Sequence, residues 1–167
     1  PALANLLTST RVVAAVFLLL LVAGGAAFAQ VEAAARSSTG WVIVAVLGVV
    51  ELTDFFDGRV ARRLRAGAFG ATWDMESDSI YALALTMFAR HVHEVGLFVL
   101  LIGLMRYLYV LFWQYDGVAP RVPRLHRVYA KTTTALIVVT LIFAVVPGVG
   151  VRVKSIALVS VLLLQIV

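Results

Sequence analysis

The sequence has no cysteine and little charge. Of its 167 residues 9 are acidic and 14 are basic, so charged residues make up 14% of the chain. Without cysteine there is no disulfide-stabilised scaffold, and a disordered chain would carry far more charge and fewer apolar residues. A soluble domain has about 25% charged residues. The composition therefore excludes an ordinary soluble enzyme as well.

Apolar residues dominate what is present. They make up 62% of the chain, and the mean hydropathy is +1.01. A helix needs about 20 apolar residues to cross a bilayer, and stretches poor in charge predict six spans, at 12–31, 39–56, 71–89, 95–115, 131–146 and 154–167. No β pattern is present. The expected fold is an all-α integral membrane protein, a six-transmembrane-helix bundle.

Basic residues predict the orientation of this bundle. Half of the 14 lie in the second and fourth connections, at Arg59, Arg62, Arg63, Arg65, Arg121, Arg124 and Arg127, and Lys131 opens the next span. Cytoplasmic loops are enriched in Lys and Arg, so these connections and both termini are predicted on the cytoplasmic side of the cell (inner) membrane. The net charge of +5 is explained by loop anchors near anionic lipid, and no nucleic-acid partner is expected.

One membrane domain accounts for the whole chain. We expect it to cover residues 1–167, because hydrophobic spans follow one another with short connections throughout. The chain starts with Pro1 rather than Met, from which we expect that it has been trimmed.

The acidic residues are concentrated in a short part of the chain. Six of the nine lie within 28 residues, at the ends of the second and third spans: Glu51, Asp54, Asp57, Asp74, Glu76 and Asp78. The spacings Asp54/Asp57 and Asp74/Asp78 put each pair on one helix face. If the two helices are neighbours, four carboxylates converge and need a cation. Mg²⁺ is typically held by carboxylates and substrate phosphates; the alternative is neutralisation by nearby arginines alone.

Residues between these acids indicate a phosphate ligand. Gly58 directly follows Asp57, and Gly70 precedes the second pair of aspartates. Glycine lets a ligand approach where a Cβ atom would block it. Arg62 lies one turn past Gly58 and can make bidentate contacts to a phosphate. The pattern predicts a diphosphate site supplied from the membrane.

Eight positions in this region resemble the signature of the CDP-alcohol phosphotransferase family (CDP-alcohol phosphatidyltransferases), D-x-x-D-G-x-x-A-R, a spacer, then G-x-x-x-D-x-x-x-D. The chain carries Asp54-Phe-Phe-Asp57-Gly58-Arg-Val-Ala61-Arg62 and, after seven residues, Gly70-Ala-Thr-Trp-Asp74-Met-Glu-Ser-Asp78. All eight fixed positions are present at the family's spacing. The six-helix layout is also similar, and Asn5-Leu-Leu-Thr8-Ser-Thr-Arg11 resembles the stretch before the first membrane helix in many members.

The resemblance implies a reaction and its residues. Such enzymes transfer a phosphatidyl or other substituted phosphoryl group from a CDP-linked donor, here expected to be CDP-diacylglycerol, to an alcohol, and release CMP in phospholipid biosynthesis. By resemblance, Asp54, Asp57, Asp74 and Asp78 bind Mg²⁺ or Mn²⁺, with two ions expected, and Asp78 is also the catalytic base. Gly58, Ala61 and Gly70 make room for the nucleotide, and Arg62 binds phosphate. A homodimer is implied as well.

The acceptor site is less constrained by the sequence. Arg106 lies in the middle of the fourth span, where an unpaired charge costs about 2.5–3.5 kcal/mol, so we expect it to pair with a carboxylate or contact substrate. Arg121, Arg124 and Lys131 are candidates for binding a phosphorylated acceptor or lipid phosphate, or are topological anchors. The acceptor stays open among inositol phosphate, glycerol phosphate, serine and a second lipid. A CDP-aminoalcohol donor is the alternative to CDP-diacylglycerol.

A different class of function also has to be weighed. An ion-coupled transporter or a cation channel with a carboxylate metal site would place ionisable residues along a path across the membrane. Here the acids cluster at one predicted face, and only Arg106 lies deep in another span. This distribution favours the transferase.

Overall fold

The described chain is helical, as the sequence predicts. A computed structural model describes residues 2–24, 26–63, 68–116 and 124–166, with the side chains of 9–24, 29–53, 73, 75–109, 111–112, 129 and 132–166. Within these ranges lie seven α-helices and no strand: α1 (Ala2–Ala23), α2 (Ala26–Arg36), α3 (Gly40–Arg63), α4 (Ala68–His93), α5 (Val99–Asp116), α6 (Arg124–Val145) and α7 (Val151–Ile166). The all-α fold class is confirmed.

The helix α2 is absent from the prediction. The sequence predicts one span over 12–31, whereas α1 ends at Ala23 and α2 begins at Ala26. Two consecutive glycines separate them in sequence, and glycine is a poor helix former. Arg36 closes α2 with an ion pair from its Nη2 to Glu32 Oε1, 2.7 Å long. The hydropathy pattern predicts one span in place of the two helices, because the residues that join them are small and uncharged.

A helix that crosses a membrane must be both long enough and apolar enough. None of the described helices is both by itself. The pair Ala29–Arg36 and Gly40–Thr53 meets them only in combination, and its two parts are bent by 94°. The six spans and the cytoplasmic termini therefore stay predictions.

The helix α4 lies at the centre of the described bundle. It packs against α1, α2, α5 and α6. Its fully buried side chains recur at helical spacing, at Tyr81, Ala84, Leu85, Phe88, Ala89 and Val92, which places a broad apolar stripe against its neighbours. At its C-terminal end, His93 Nε2 lies 3.0 Å from Val145 O of α6. The central helix thus carries the second half of the motif in its N-terminal half and an apolar packing stripe after it.

Gly103 allows α5 to lie close against α4. A Cβ atom at this position would be 2.8 Å from Leu83 Cα and 2.9 Å from Thr86 Oγ1. Since the Leu83 atom belongs to the backbone, no side-chain rotation can relieve the first contact.

We expect Gly103→Ala to lower the melting temperature in detergent. Overpacking costs about 1–3 kcal/mol, which exceeds the gain of about 1 kcal/mol in helix propensity. Gly48→Ala in α3 is the matched control, because its Cβ would meet no atom within 4 Å, and this variant should be as stable as the wild type or more so. A Gly103→Ala protein as stable as the wild type would contradict the close approach of the two helices.

Candidate active site

The eight motif positions fall on two helices. The first five lie in the C-terminal part of α3 and the other three in the N-terminal half of α4. They are Asp54, Asp57, Gly58, Ala61 and Arg62 in α3, and Gly70, Asp74 and Asp78 in α4. Asp78 has a described side chain; the side chains of the other seven lie outside the described set. The helical backbone agrees with the spacing argument, and the ligand assignments themselves stay predictions.

The helix α1 connects the two motif helices. It packs against both α3 and α4. Arg11, Ala15 and Leu18 of α1 are buried, at 3%, 0% and 4% exposure, and their spacing of four and three residues places them on one face. An arginine therefore occupies the first position of an otherwise apolar packing stripe.

Arg11 forms an ion pair with the predicted base. Its Nη1 atom contacts Asp78 Oδ1, and the two side chains are 4% and 36% exposed. The carboxylate is thus held on one side by a buried guanidinium while part of its side chain stays open. The ion pair leaves Asp78 accessible to a substrate.

Two further polar residues interact electrostatically with Arg11 of this ion pair. Glu51 of α3 interacts electrostatically with Arg11. Tyr81 lies one turn beyond Asp78, is 1% exposed, and interacts electrostatically with both Glu51 and Arg11. Its hydroxyl is buried and has no hydrogen-bond partner among the described residues. The junction of α1, α3 and α4 is therefore a polar cluster within an apolar bundle.

Sequence reasoning did not assign a role to Arg11. It has two signals in the sequence: it ends the stretch 5–11 that resembles family members, and it is the single charged residue among the first 31. A lone arginine at the edge of an apolar helix indicates a buried partner or an interface, but the sequence does not say which helix supplies that partner.

Arg106 of α5 makes a second set of polar contacts with α4. Its Nη2 donates to Glu76 Oε1 at 2.7 Å, its Nη1 donates to Ser79 Oγ at 2.6 Å, and Nη1 also donates to the Met75 carbonyl. Of the two alternatives from the sequence, pairing with a carboxylate is the one observed. Its predicted contact with substrate stays untested.

Of the four predicted metal ligands, only Asp78 has a described side chain. Among the side chains that the structure describes, no three His, Asp or Glu residues come together in a way that would hold a metal ion. Asp54, Asp57 and Asp74 lie outside that set. The metal site therefore stays a prediction.

The remaining basic candidates belong to the fourth connection and α6. Arg121 lies outside the described residues, and Arg124 and Lys131 lie in the first half of α6 with side chains outside the described set. Thr133, two residues after Lys131, is buried at 6% exposure. Binding of acceptor or lipid phosphate by these residues is untested.

An apolar groove opens between α3 and α6. It has a volume of about 480 Å³ and is lined by Gly48, Glu51, Leu52, Val139 and Ile142. Glu51 lines this groove and also interacts electrostatically with Arg11, so the groove borders the polar cluster.

Comparison with known proteins identifies the family. A family model described as CDP-alcohol phosphatidyltransferase matches residues 1–167, the whole chain. No significant match was found among curated proteins or among solved structures. The match includes both motif helices and α1 with Arg11. The chain belongs to the CDP-alcohol phosphatidyltransferase family.

Proposed function

We propose that this protein is a membrane-embedded transferase that moves a phosphatidyl group from CDP-diacylglycerol to an alcohol and releases CMP. Family membership supports the transfer of such a group from a CDP-alcohol to an acceptor. The observation that carries the proposal is the complete eight-residue motif in a chain that matches the family over its whole length. The transporter or channel alternative has no comparable observation in its favour.

Asp78 is the residue proposed to take the proton. In the reaction the acceptor hydroxyl oxygen attacks the phosphorus atom that carries the diacylglycerol. A P–O bond forms to the acceptor, the P–O bond to CMP breaks, and CMP leaves with the bridging oxygen. A base must lie within about 2.6–3.2 Å of the hydroxyl. The Asp78 side chain, 36% exposed, is open to such an approach.

The four motif aspartates fit a divalent cation. Asp54, Asp57, Asp74 and Asp78 offer only carboxylate oxygens, the ligands that hard cations prefer, and Asp78 keeps accessible surface beside the oxygen that Arg11 contacts. They would hold one or two Mg²⁺ or Mn²⁺ ions, which neutralise charge on the diphosphate. Gly58, Ala61, Arg62 and Gly70 are proposed to bind the nucleotide and its phosphate.

Exposed apolar side chains support a position in the bilayer. On α1, Val13, Phe17 and Leu20 are 68%, 60% and 64% exposed, at spacings that form one outward face. Similar faces occur on α3, α6 and α7, with Val42, Val46, Val49, Leu136, Val139, Ile156 and Leu163. Apolar patches of this extent mark membrane or protein contacts. We propose that lipid covers them, with the active site facing the cytoplasm and the protein forming a homodimer.

The groove between α3 and α6 suits an acyl chain of the donor. Its lining is aliphatic apart from Glu51, and Glu51 is three residues before Asp54 on α3. A lipid tail in this groove would therefore place the head group beside the motif.

We expect Gly48→Phe to raise the KM for long-chain CDP-diacylglycerol about tenfold. The ring would fill the groove and remove the burial of about two methylenes, worth about 0.8 kcal/mol each. Activity with a short-chain donor should change little. Val46→Phe is the matched control, since Val46 lies on the same helix, is 56% exposed and does not line the groove. Equal KM increases in both variants, or none in Gly48→Phe, would argue against the groove as the acyl site.

The proposed activity is tested by CMP release. Purified protein with Mg²⁺ and CDP-diacylglycerol should release CMP with at least one of glycerol phosphate, inositol phosphate, serine or a lipid alcohol, and EDTA should stop the release. A CDP-aminoalcohol with diacylglycerol is the second donor to test. Absence of CMP with every pair, together with metal-driven ion flux in vesicles, would overturn the transferase.

A further inference from the structure

The position of Arg11 is unusual for a charged residue. It is 3% exposed and begins the stripe through which α1 packs on α4. Taking a guanidinium out of water costs several kcal/mol unless it is paired well, and a buried pair is often no more stabilising than apolar residues of similar volume. Stability alone therefore gives a weak reason for an arginine at this position.

The partner of Arg11 gives a stronger reason. Arg11 Nη1 contacts the Oδ1 atom of Asp78, and this oxygen is buried, although the side chain as a whole is 36% exposed. The exposed part of Asp78 is therefore not the atom that Arg11 contacts. A contact through one oxygen restrains the carboxylate and leaves the rest of it to react.

Arg11 also interacts electrostatically with a residue of α3, the helix that carries the other half of the motif. Glu51, with which it interacts, lies on α3 three residues before Asp54. Asp78 lies on α4, and α1 packs against both helices. A single guanidinium thus links the two helices on which all eight motif positions lie.

We propose that Arg11 is a positioning residue for the transfer reaction: it fixes the Asp78 carboxylate and sets α3 and α4 relative to each other. This inference rests on the proposed function, in which Asp78 takes the acceptor proton. A carboxylate that rotates freely is often out of reach of the hydroxyl, and misplacement by about 1 Å can cost roughly 100-fold in rate. Loss of Arg11 should therefore act on turnover more than on donor binding.

The first test separates turnover from binding. Arg11→Met, of similar length without charge, should lower kcat for CMP release at least 10-fold and change the donor KM less than 3-fold. Arg11→Lys should recover a substantial part of kcat, because it restores a cation beside Asp78. Arg36→Met is the matched control, since Arg36 pairs with Glu32 and Glu94 at the other end of the bundle, and its kcat should equal that of the wild type. Unchanged kcat in Arg11→Met, or a loss that Arg11→Lys does not relieve, would overturn the proposal.

The second test needs no catalytic activity. Melting temperatures of Arg11→Met, Asp78→Ala and the double variant are compared in EDTA without substrate, because alanine removes the oxygen that Arg11 contacts. If the side chains act as a pair, the double variant loses less than the sum of the single losses; additive losses would overturn the proposal. Because this cycle measures the contact alone, a wild type that releases no CMP would refute the proposed function while the Arg11–Asp78 pair could still be established.

Discussion

Asp78→Asn is expected to reduce CMP release by about 10²–10⁴-fold, the range that a general base contributes. Asparagine has nearly the same shape and still offers an oxygen to Arg11, but it cannot accept the hydroxyl proton. The measurement is kcat for CMP release in detergent with saturating donor, acceptor and Mg²⁺. The donor KM should change less than kcat, because three other aspartates remain to hold the cation on the diphosphate, whereas Asp78 is the proposed proton acceptor.

The matched control for Asp78→Asn is Glu94→Gln. It removes one carboxylate in the same way, at a side chain 69% exposed and paired with Arg36, beyond the end of α4. Glu94→Gln should keep the kcat of the wild type. If Asp78→Asn retains wild-type turnover while melting normally, Asp78 is not the base, and another group in the polar cluster would have to take the proton.

The sequence predicts the helical class and the motif helices because their signals are local. Apolar stretches of helix length and aspartates three or four residues apart depend on nearby positions, and both α3 and α4 are continuous helices where the spacing argument needs them. The helix α2 is missed for the same reason. A count of charge is insensitive to a break between two apolar segments.

Partners that are distant in sequence could not be predicted. Arg11 and Asp78 are 67 positions apart, and nothing in either segment says that α1 packs on α4. The partner of Arg106 is likewise set by the packing of α5 on α4, which depends on the small volume of Gly103. Sequence reasoning therefore predicts the reacting residue, whereas the arginine that contacts it is visible only in the packed helices.

Arg106→Met is expected to destabilise the protein strongly. The guanidinium donates to Glu76 Oε1, Ser79 Oγ and the Met75 carbonyl, so its loss leaves three acceptors on one turn of α4 without this donor. Hydrogen bonds to charged groups contribute about 1.5–3 kcal/mol each, but Arg106 and Glu76 are 27% and 44% exposed and water compensates in part. We expect a net loss of about 2–3 kcal/mol, which lowers the melting temperature by about 5–10 °C in a chain of this size.

A double-mutant cycle with Glu76→Gln distinguishes the two roles that the sequence leaves open for Arg106. If Arg106 restrains α4, the double variant should lose less than the sum of the single losses, by more than the roughly 0.5 kcal/mol within which independent sites add. The acceptor KM should then change little in the variants that remain folded. A normal melting temperature in Arg106→Met with a raised acceptor KM would instead place this residue in contact with substrate. Because Glu76 is two residues from Asp78 on the same helix, the first result would mean that α1 and α5 each supply an arginine that fixes the turn of α4 on which the proposed base lies.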